Sequence, residues 1–340
     1  MKASVLVAPE KLELREVPDL KPSPGEILIR VKCVGICGTD VQVYRNSIVP
    51  TKTPLVLGHE YCGEVAEAGP DVRNFKPGDY VSSGGAWGCG TCVHCMKGEA
   101  SYCQSPNSLA RTTNGSLAEY ILVPAEIVYP LDRCVTPVQG QGMIGVGTGL
   151  RAVARAGVKI GDRVLLIGPG YAGLIILQLC KLTGARAGIA GTRAERLAIA
   201  RQIGADFVAN TKENPDWEKD LLGREAPTGF DVVIEAAGTV GALLSAVRLV
   251  KKGGTVLEFG TSFDTVNGLP QKDFYYREIS IVGSKGGWGF YRTGIELLNR
   301  HAIKIDPLIT HHYPLDKTAE AFHVMDKRLD GVLRAAVYCS

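Results

Sequence analysis

Residues 26–31 read Glu-Ile-Leu-Ile-Arg-Val, an apolar and β-branched run behind the turn-forming Pro22-Ser23-Pro24-Gly25. That pattern predicts a strand. Gly63-Glu64-Val65-Ala66-Glu67-Ala68-Gly69 alternates polar and apolar residues, and Lys76-Pro77-Gly78-Asp79 makes a turn into Tyr80-Val81-Ser82. The first third of the chain therefore reads as β-structure.

Near residue 145 the pattern changes. Arg163–Ile167 is a short apolar strand, followed by a glycine loop and an apolar helix near residues 172–183. Arg186–Ala190, Asp231–Glu235 and Gly254–Phe259 are further strand patterns, with a helix near 240–250. Strands alternating with helices predict a parallel sheet wound on both faces. From about residue 285 there remain a helix near 292–300 and a last strand pattern, Leu333–Tyr338. This tail is too small to form a domain, so it is assigned to the N-terminal β-rich part. The expected organisation is an α/β protein. Residues 1–145 and 286–340 form a β-rich domain, and residues 146–285 form a doubly wound parallel-sheet domain inserted between them.

A length of 340 residues suits two domains. Hydrophobic residues at 45% and charged residues at 21% are ordinary for a soluble globular protein. The net charge of +3 comes from scattered basic residues, so no nucleic-acid partner is expected. The apolar run after Met1-Lys2 ends at Pro9 and is too short for a secretory signal, and no stretch is long enough to span a membrane. A cytoplasmic location is expected. There a tight cluster among the ten cysteines reads as metal ligands sooner than as disulfides.

Gly168-Pro169-Gly170-Tyr171-Ala172-Gly173 fits G-x-G-x-x-G between a predicted strand and a predicted helix, the context for a dinucleotide loop. The first glycine permits the tight turn, the second lets a pyrophosphate approach, and the third lets helix and strand pack closely. The helix N-terminus then faces the phosphates. The next strand should end in an acid for the adenosine ribose. Instead Gly191-Thr192-Arg193 follows it, with no Asp or Glu from 174 to 194. Thr192 can donate to a 2′-phosphate and Arg193 can pair with it, which favours NADP(H) over NAD(H). Solvated helix-face arginines are the other reading.

Cys89, Cys92, Cys95 and Cys103 are spaced C-x2-C-x2-C-x7-C. Four thiolates in fifteen residues can close tetrahedrally around one structural zinc, with an iron–sulfur cluster or disulfides as alternatives. Gly35-Ile36-Cys37-Gly38-Thr39-Asp40 and Gly58-His59-Glu60-Tyr61-Cys62-Gly63 offer a cysteine and a histidine beside glycines. By spacing alone, a lone buried Cys and a lone His are more often plain core residues.

Taken together and in this order, Gly35–Asp40, Gly58-His59-Glu60, the four-cysteine loop and the glycine loop resemble the zinc-containing medium-chain dehydrogenases, especially the sorbitol and threonine dehydrogenase branch. The resemblance implies a GroES-like catalytic domain and a Rossmann domain. It implies a catalytic zinc on Cys37 and His59, support of His59 by Asp40, and proton passage through Thr39. It also implies an NAD(P)-dependent alcohol dehydrogenase, contact of Thr148 with the nicotinamide side, and a homotetramer or homodimer. The family takes a third zinc ligand from a segment that aligns here on Ile144, yet no Cys, Asp or Glu lies between 135 and 161. Either Glu60 swings onto the metal, or the site binds zinc weakly or not at all. The expected activity is hydride transfer between NADP(H) and a secondary alcohol or polyol. The alternatives are a zinc-independent reductase and a non-catalytic NADP-binding protein.

Overall fold

A computed structural model describes residues 1–47, 52–261 and 264–339. The chain divides into two compact units, Met1–Gly147 with Trp288–Ser340, and Thr148–Gly287.

The first unit is built on antiparallel pairing. Its largest sheet has seven strands, and Glu26–Gly35 lies at its centre. That strand buries nearly all of its apolar residues, exposes only Arg30, and pairs with Glu60–Ala68, Tyr120–Pro124 and Ala335–Tyr338. The C-terminal strand thus completes a sheet begun by the N-terminal half. The register aligns Gly35 with Glu60 on one side and with Ala336 on the other. Ile27, Ile29, Val31 and Val34 are fully buried in a core that extends to Phe322 and Val337.

The second unit holds six parallel strands. We number them β1 (Arg163–Ile167), β2 (Arg186–Gly191), β3 (Val208–Asn210), β4 (Phe230–Glu235), β5 (Val250–Glu258) and β6 (Ser280–Gly283). They lie in the order β3-β2-β1-β4-β5-β6. The order reverses between β1 and β4, and open α/β sheets bind ligands outside the strand ends at such a switch point. The inner strands read as near-continuous apolar runs because both faces are covered. Helices Tyr171–Leu182 and Val240–Leu249 follow β1 and β4.

Candidate active site and cofactor loop

Cys37 sits just before helix Gly38–Tyr44, in extended backbone at the helix start. Asp40, on the first turn, is 1% exposed and is held from three sides. Its Oδ2 accepts the Cys37 N–H at 2.9 Å, and its Oδ1 accepts the Gly58 N–H at 3.1 Å and faces His59 Nδ1 at 3.0 Å. A carboxylate only accepts, so the proton of that last bond lies on Nδ1. Nε2 of His59 is therefore left as the nitrogen with a lone pair for a metal. Burial works to raise the Asp40 carboxyl. The electrostatic pull of the His59 ring and the hydrogen bonds from His59, Cys37 and Gly58 outweigh it and hold the group below the usual carboxylate range.

Glu60 lies next to His59 and is 4% exposed. Its Oε1 stands 3.9 Å from His59 Nε2, and its Oε2 accepts from Nη2 of Arg334. The ligand atoms of Cys37, His59 and Glu60 all lie within 4.8 Å of one another. Thr39 is partly exposed on the same helical turn as Asp40. The position aligned with the family's third ligand is apolar. A Cβ on Gly85 would meet Ile144 Cδ1 at 3.2 Å and His59 Cδ2 at 3.5 Å, so Ile144 and His59 flank the same glycine.

Arg334 and Gln141 were not singled out in the sequence. Arg334 is 3% exposed, yet it faces a carboxylate 274 residues away. Gly35 makes the room: a Cβ there would lie 2.0 Å from Gln141 Oε1 and 2.6 Å from Arg334 Nη2. One signal was legible, since Arg334 is the single charge in the otherwise apolar run Leu333–Val337. Tyr44 belongs with the core, because its ring packs 5.2 Å from Phe322 and its hydroxyl donates to the Glu10 carbonyl.

The sulfurs of Cys89, Cys92, Cys95 and Cys103 also lie within 4.8 Å of one another, and all ten cysteines are free thiols. Sulfurs around one zinc at about 2.3 Å stand roughly 3.8 Å apart, so the loop fits a single tetrahedral ion. The Sγ of Cys92 and Cys103 are 3.8 Å apart. The Thr91 hydroxyl and the backbone N–H groups of Thr91 and Cys92 lower the Cys89 thiol to about 6, favouring the thiolate that a metal needs.

In the second unit each loop glycine has its own reason. Gly168 has φ +113°, and a Cβ there would lie 2.6 Å from the Ala237 nitrogen. Gly170 precedes helix Tyr171–Leu182 and has open space where a Cβ would be. A Cβ on Gly173 would lie 2.2 Å from the Gly168 carbonyl oxygen. Tyr171 and Ala172 form the first turn, whose N–H groups point out of the helix start. At the end of β2, a Cβ on Gly191 would meet Pro169 Cδ at 2.2 Å, so Thr192 and Arg193 emerge beside the loop. Thr192 is exposed, and Arg193 immediately precedes helix Ala194–Gln202. Thr148 lies on helix Met143–Ala156, next to Gly149, which abuts Leu179 of the loop's helix.

Residues 23–133 match the alcohol dehydrogenase GroES-like domain family, and residues 172–300 match the zinc-binding dehydrogenase family. An L-threonine 3-dehydrogenase of Pyrococcus furiosus is 34% identical over 92% of this chain and 91% of its own length. The chain belongs to the zinc-containing medium-chain alcohol dehydrogenase family. A sorbitol dehydrogenase of Gallus gallus is 33% identical over 95% of this chain and 91% of its own. A crystal structure of a zinc-binding dehydrogenase from Sinorhizobium meliloti 1021, bound to NADP, superposes with a TM-score of 0.94. It is 30% identical and covers 99% of this chain and 98% of its own. The protein is thus an NAD(P)-dependent oxidoreductase acting on alcohols, with a GroES-like unit and a Rossmann-type unit. No helix among the described residues is long and apolar enough to cross a membrane.

Proposed function

We propose that this dehydrogenase is zinc-dependent, prefers NADP(H), and moves a hydride between the cofactor and a secondary alcohol or polyol, or the matching carbonyl compound. The Asp40 bridge carries the reading, because it ties the Cys37 backbone to the Gly58 backbone and the His59 ring, next to Glu60. Cys37, His59 and Glu60 would hold the catalytic ion, and three protein ligands leave zinc the open position that catalysis needs. When bound, zinc supplies Lewis acidity to the reacting oxygen, and the nicotinamide supplies the hydride chemistry. Asp40 keeps His59 in one tautomer and orientation. Thr39 takes the proton that an alcohol gives up, or returns it to a carbonyl oxygen. Cys89, Cys92, Cys95 and Cys103 would hold a structural zinc.

Gly168, Gly170, Tyr171, Ala172 and Gly173 would receive the pyrophosphate, and Thr148 the nicotinamide side. Curated relatives that act on sorbitol and on D-arabitol phosphate support a polyol-like substrate. The family resemblance supports a homotetramer or homodimer, and the reduced thiols suit the cytoplasm.

The cofactor preference rests on Thr192 and Arg193. Arg193→Ala should raise KM for NADP about tenfold or more, the strength of a lost charge-assisted phosphate contact. KM for NAD should stay within about twofold of the wild type by the same reasoning. Steady-state kinetics with both cofactors checks this, and equal changes for both would contradict it. A relative from Escherichia coli CFT073 is complexed with NADH, so the family itself does not decide the matter.

Ile144 beside His59 favours one second reading, a zinc-independent reductase of an activated alkene or carbonyl. Turnover of enones without alcohol oxidation would select it.

A further inference from the structure

Two glutamates outside the metal site lie on neighbouring strands at the C-terminal ends of β4 and β5. Glu235 and Glu258 are register partners on neighbouring parallel strands. Such strands lie about 4.8 Å apart, and partners in register point to the same face. Glu235 is 0% exposed. Its Oε1 accepts the N–H groups of Ala237 and Gly238, both at 2.8 Å. Its Oε2 and Glu258 Oε2 are both shielded from solvent, and neither has a hydrogen-bond partner. Two lone acceptors side by side in a shielded place are costly, and one proton between them satisfies both.

The turn that Glu235 grips backs the dinucleotide loop. Gly168 comes within Cβ distance of Ala236 and Ala237, and a Cβ on Gly173 would touch Ala236 Cβ at 3.6 Å. The Ala236 N–H also donates to the carbonyl of Ile167, the last residue before the loop. On the other side, a Cβ on Gly260 would lie 2.4 Å from Glu235 Oε2, so the carboxylate is walled in.

We infer that Glu258 donates one O–H···O bond to Glu235, and that this pair positions the Ala236–Gly238 turn against Gly168 so that the loop binds dinucleotide. The inference rests on the cofactor reading of the loop given above. Burial raises the Glu235 carboxyl too, but backbone N–H groups oppose that shift and none is set against the Glu258 shift, so Glu235 is the ionised partner. Burial and the adjacent Glu235 charge lift the Glu258 carboxyl to about 7. From β6, the register neighbour of Glu258 is Gly283, followed by the uncharged Ser284 and the exposed Lys285. The exposed Arg155 reaches that flank and donates to the Gly283 carbonyl at 2.5 Å. Above that pKa the pair carries two like charges in a shielded place. One carboxylate must then turn away, the turn loosens, and the loop loses its backing.

Binding of NADPH, followed by its fluorescence from pH 6 to 8.5, tests this on the wild type and on Glu258→Gln. In the wild type, Kd should rise about tenfold as pH passes through 7, the effect of one pKa unit of coupling. Glu258→Gln keeps a donor on a neutral side chain, so it should bind tightly with that slope removed. Glu235→Ala should weaken binding at every pH. A second readout needs no nucleotide. The folded state holds an extra proton between the ordinary 4.5 of a glutamate and about 7, so wild-type stability falls with rising pH across that window. Glu258→Gln should lose that fall. NADPH binding with the same pH slope in wild type and Glu258→Gln overturns the pair and leaves the loop assignment standing. No NADPH or NADH binding by the wild type overturns the loop assignment and the positioning role with it.

Discussion

Glu60→Gln is expected to lower the unfolding free energy by about 3–5 kcal/mol, the usual cost of breaking a buried ion pair by removing one partner. Glu60 is 4% and Arg334 3% exposed, so both charges are largely shielded from water. The variant takes away the carboxylate that the guanidinium faces while keeping the side chain's shape. Arg334→Met should cost a similar amount, because it leaves the Glu60 charge buried without its cation. The double variant should lose less than the sum of the two single losses, since neither charge is then left buried without its partner. Urea unfolding of the four proteins reads the cycle. Single variants within about 0.5 kcal/mol of the wild type would show that the pair contributes little. Glu60→Gln should also lower metal occupancy at the Cys37 centre, because Glu60 then offers an amide where a carboxylate ligand is needed. With the proposed ion bound, Glu60 would sit between two cations, Arg334 and the metal, and its strength toward each would be set by the other.

The second large effect is expected in the four-cysteine lobe. No residue from Gly85 to Ser108 is buried, and Met96 and Tyr102 are 78% and 52% exposed. Helix Val93–Met96 has only four residues, too few to hold itself together. The lobe therefore has no core, and its order must come from whatever joins the four sulfurs. Structural zinc contributes about 10–16 kcal/mol in small metal-folded domains, so its loss is not compensated locally. Cys92→Ala should lose one zinc per chain and become at least about tenfold more sensitive to trypsin at the exposed Lys97, as a locally unfolded segment does. Activity should fall as well, because Gly85 at the start of this stretch flanks His59. Unchanged cleavage with full metal content would show that the lobe folds without an ion.

Patterns of local origin were legible in the sequence. The apolar period of β1 and the three glycines after it locate the loop, because each glycine answers a local steric demand. The predicted helix near 172–183 runs from Tyr171 to Leu182, and the predicted helix near 292–300 runs from Tyr291 to Asn299. The predicted strand Gly254–Phe259 is longer in the structure, Val250–Glu258, where it pairs along β4. The last strand begins only at Ala335, after Arg334 has turned its side chain into the interior. Contacts of long range were not legible. Nothing in the residues near Glu60 announces Arg334, and register alone brings them to one place through Gly35. The Glu235–Glu258 pairing likewise depends on which residues of two parallel strands fall side by side. The absence of a ligand at Ile144 was legible, but its position on the same glycine as His59 needed the fold.

A metal is proposed at Cys37, His59 and Glu60. Zinc per chain, measured by elemental analysis on the purified wild type and on Cys37→Ala, tests it most directly. Two zincs in the wild type and one in Cys37→Ala are expected, with alcohol oxidation lost alongside the second ion. One zinc in both proteins, with oxidation intact in the wild type, would contradict a metal-assisted reaction at this site.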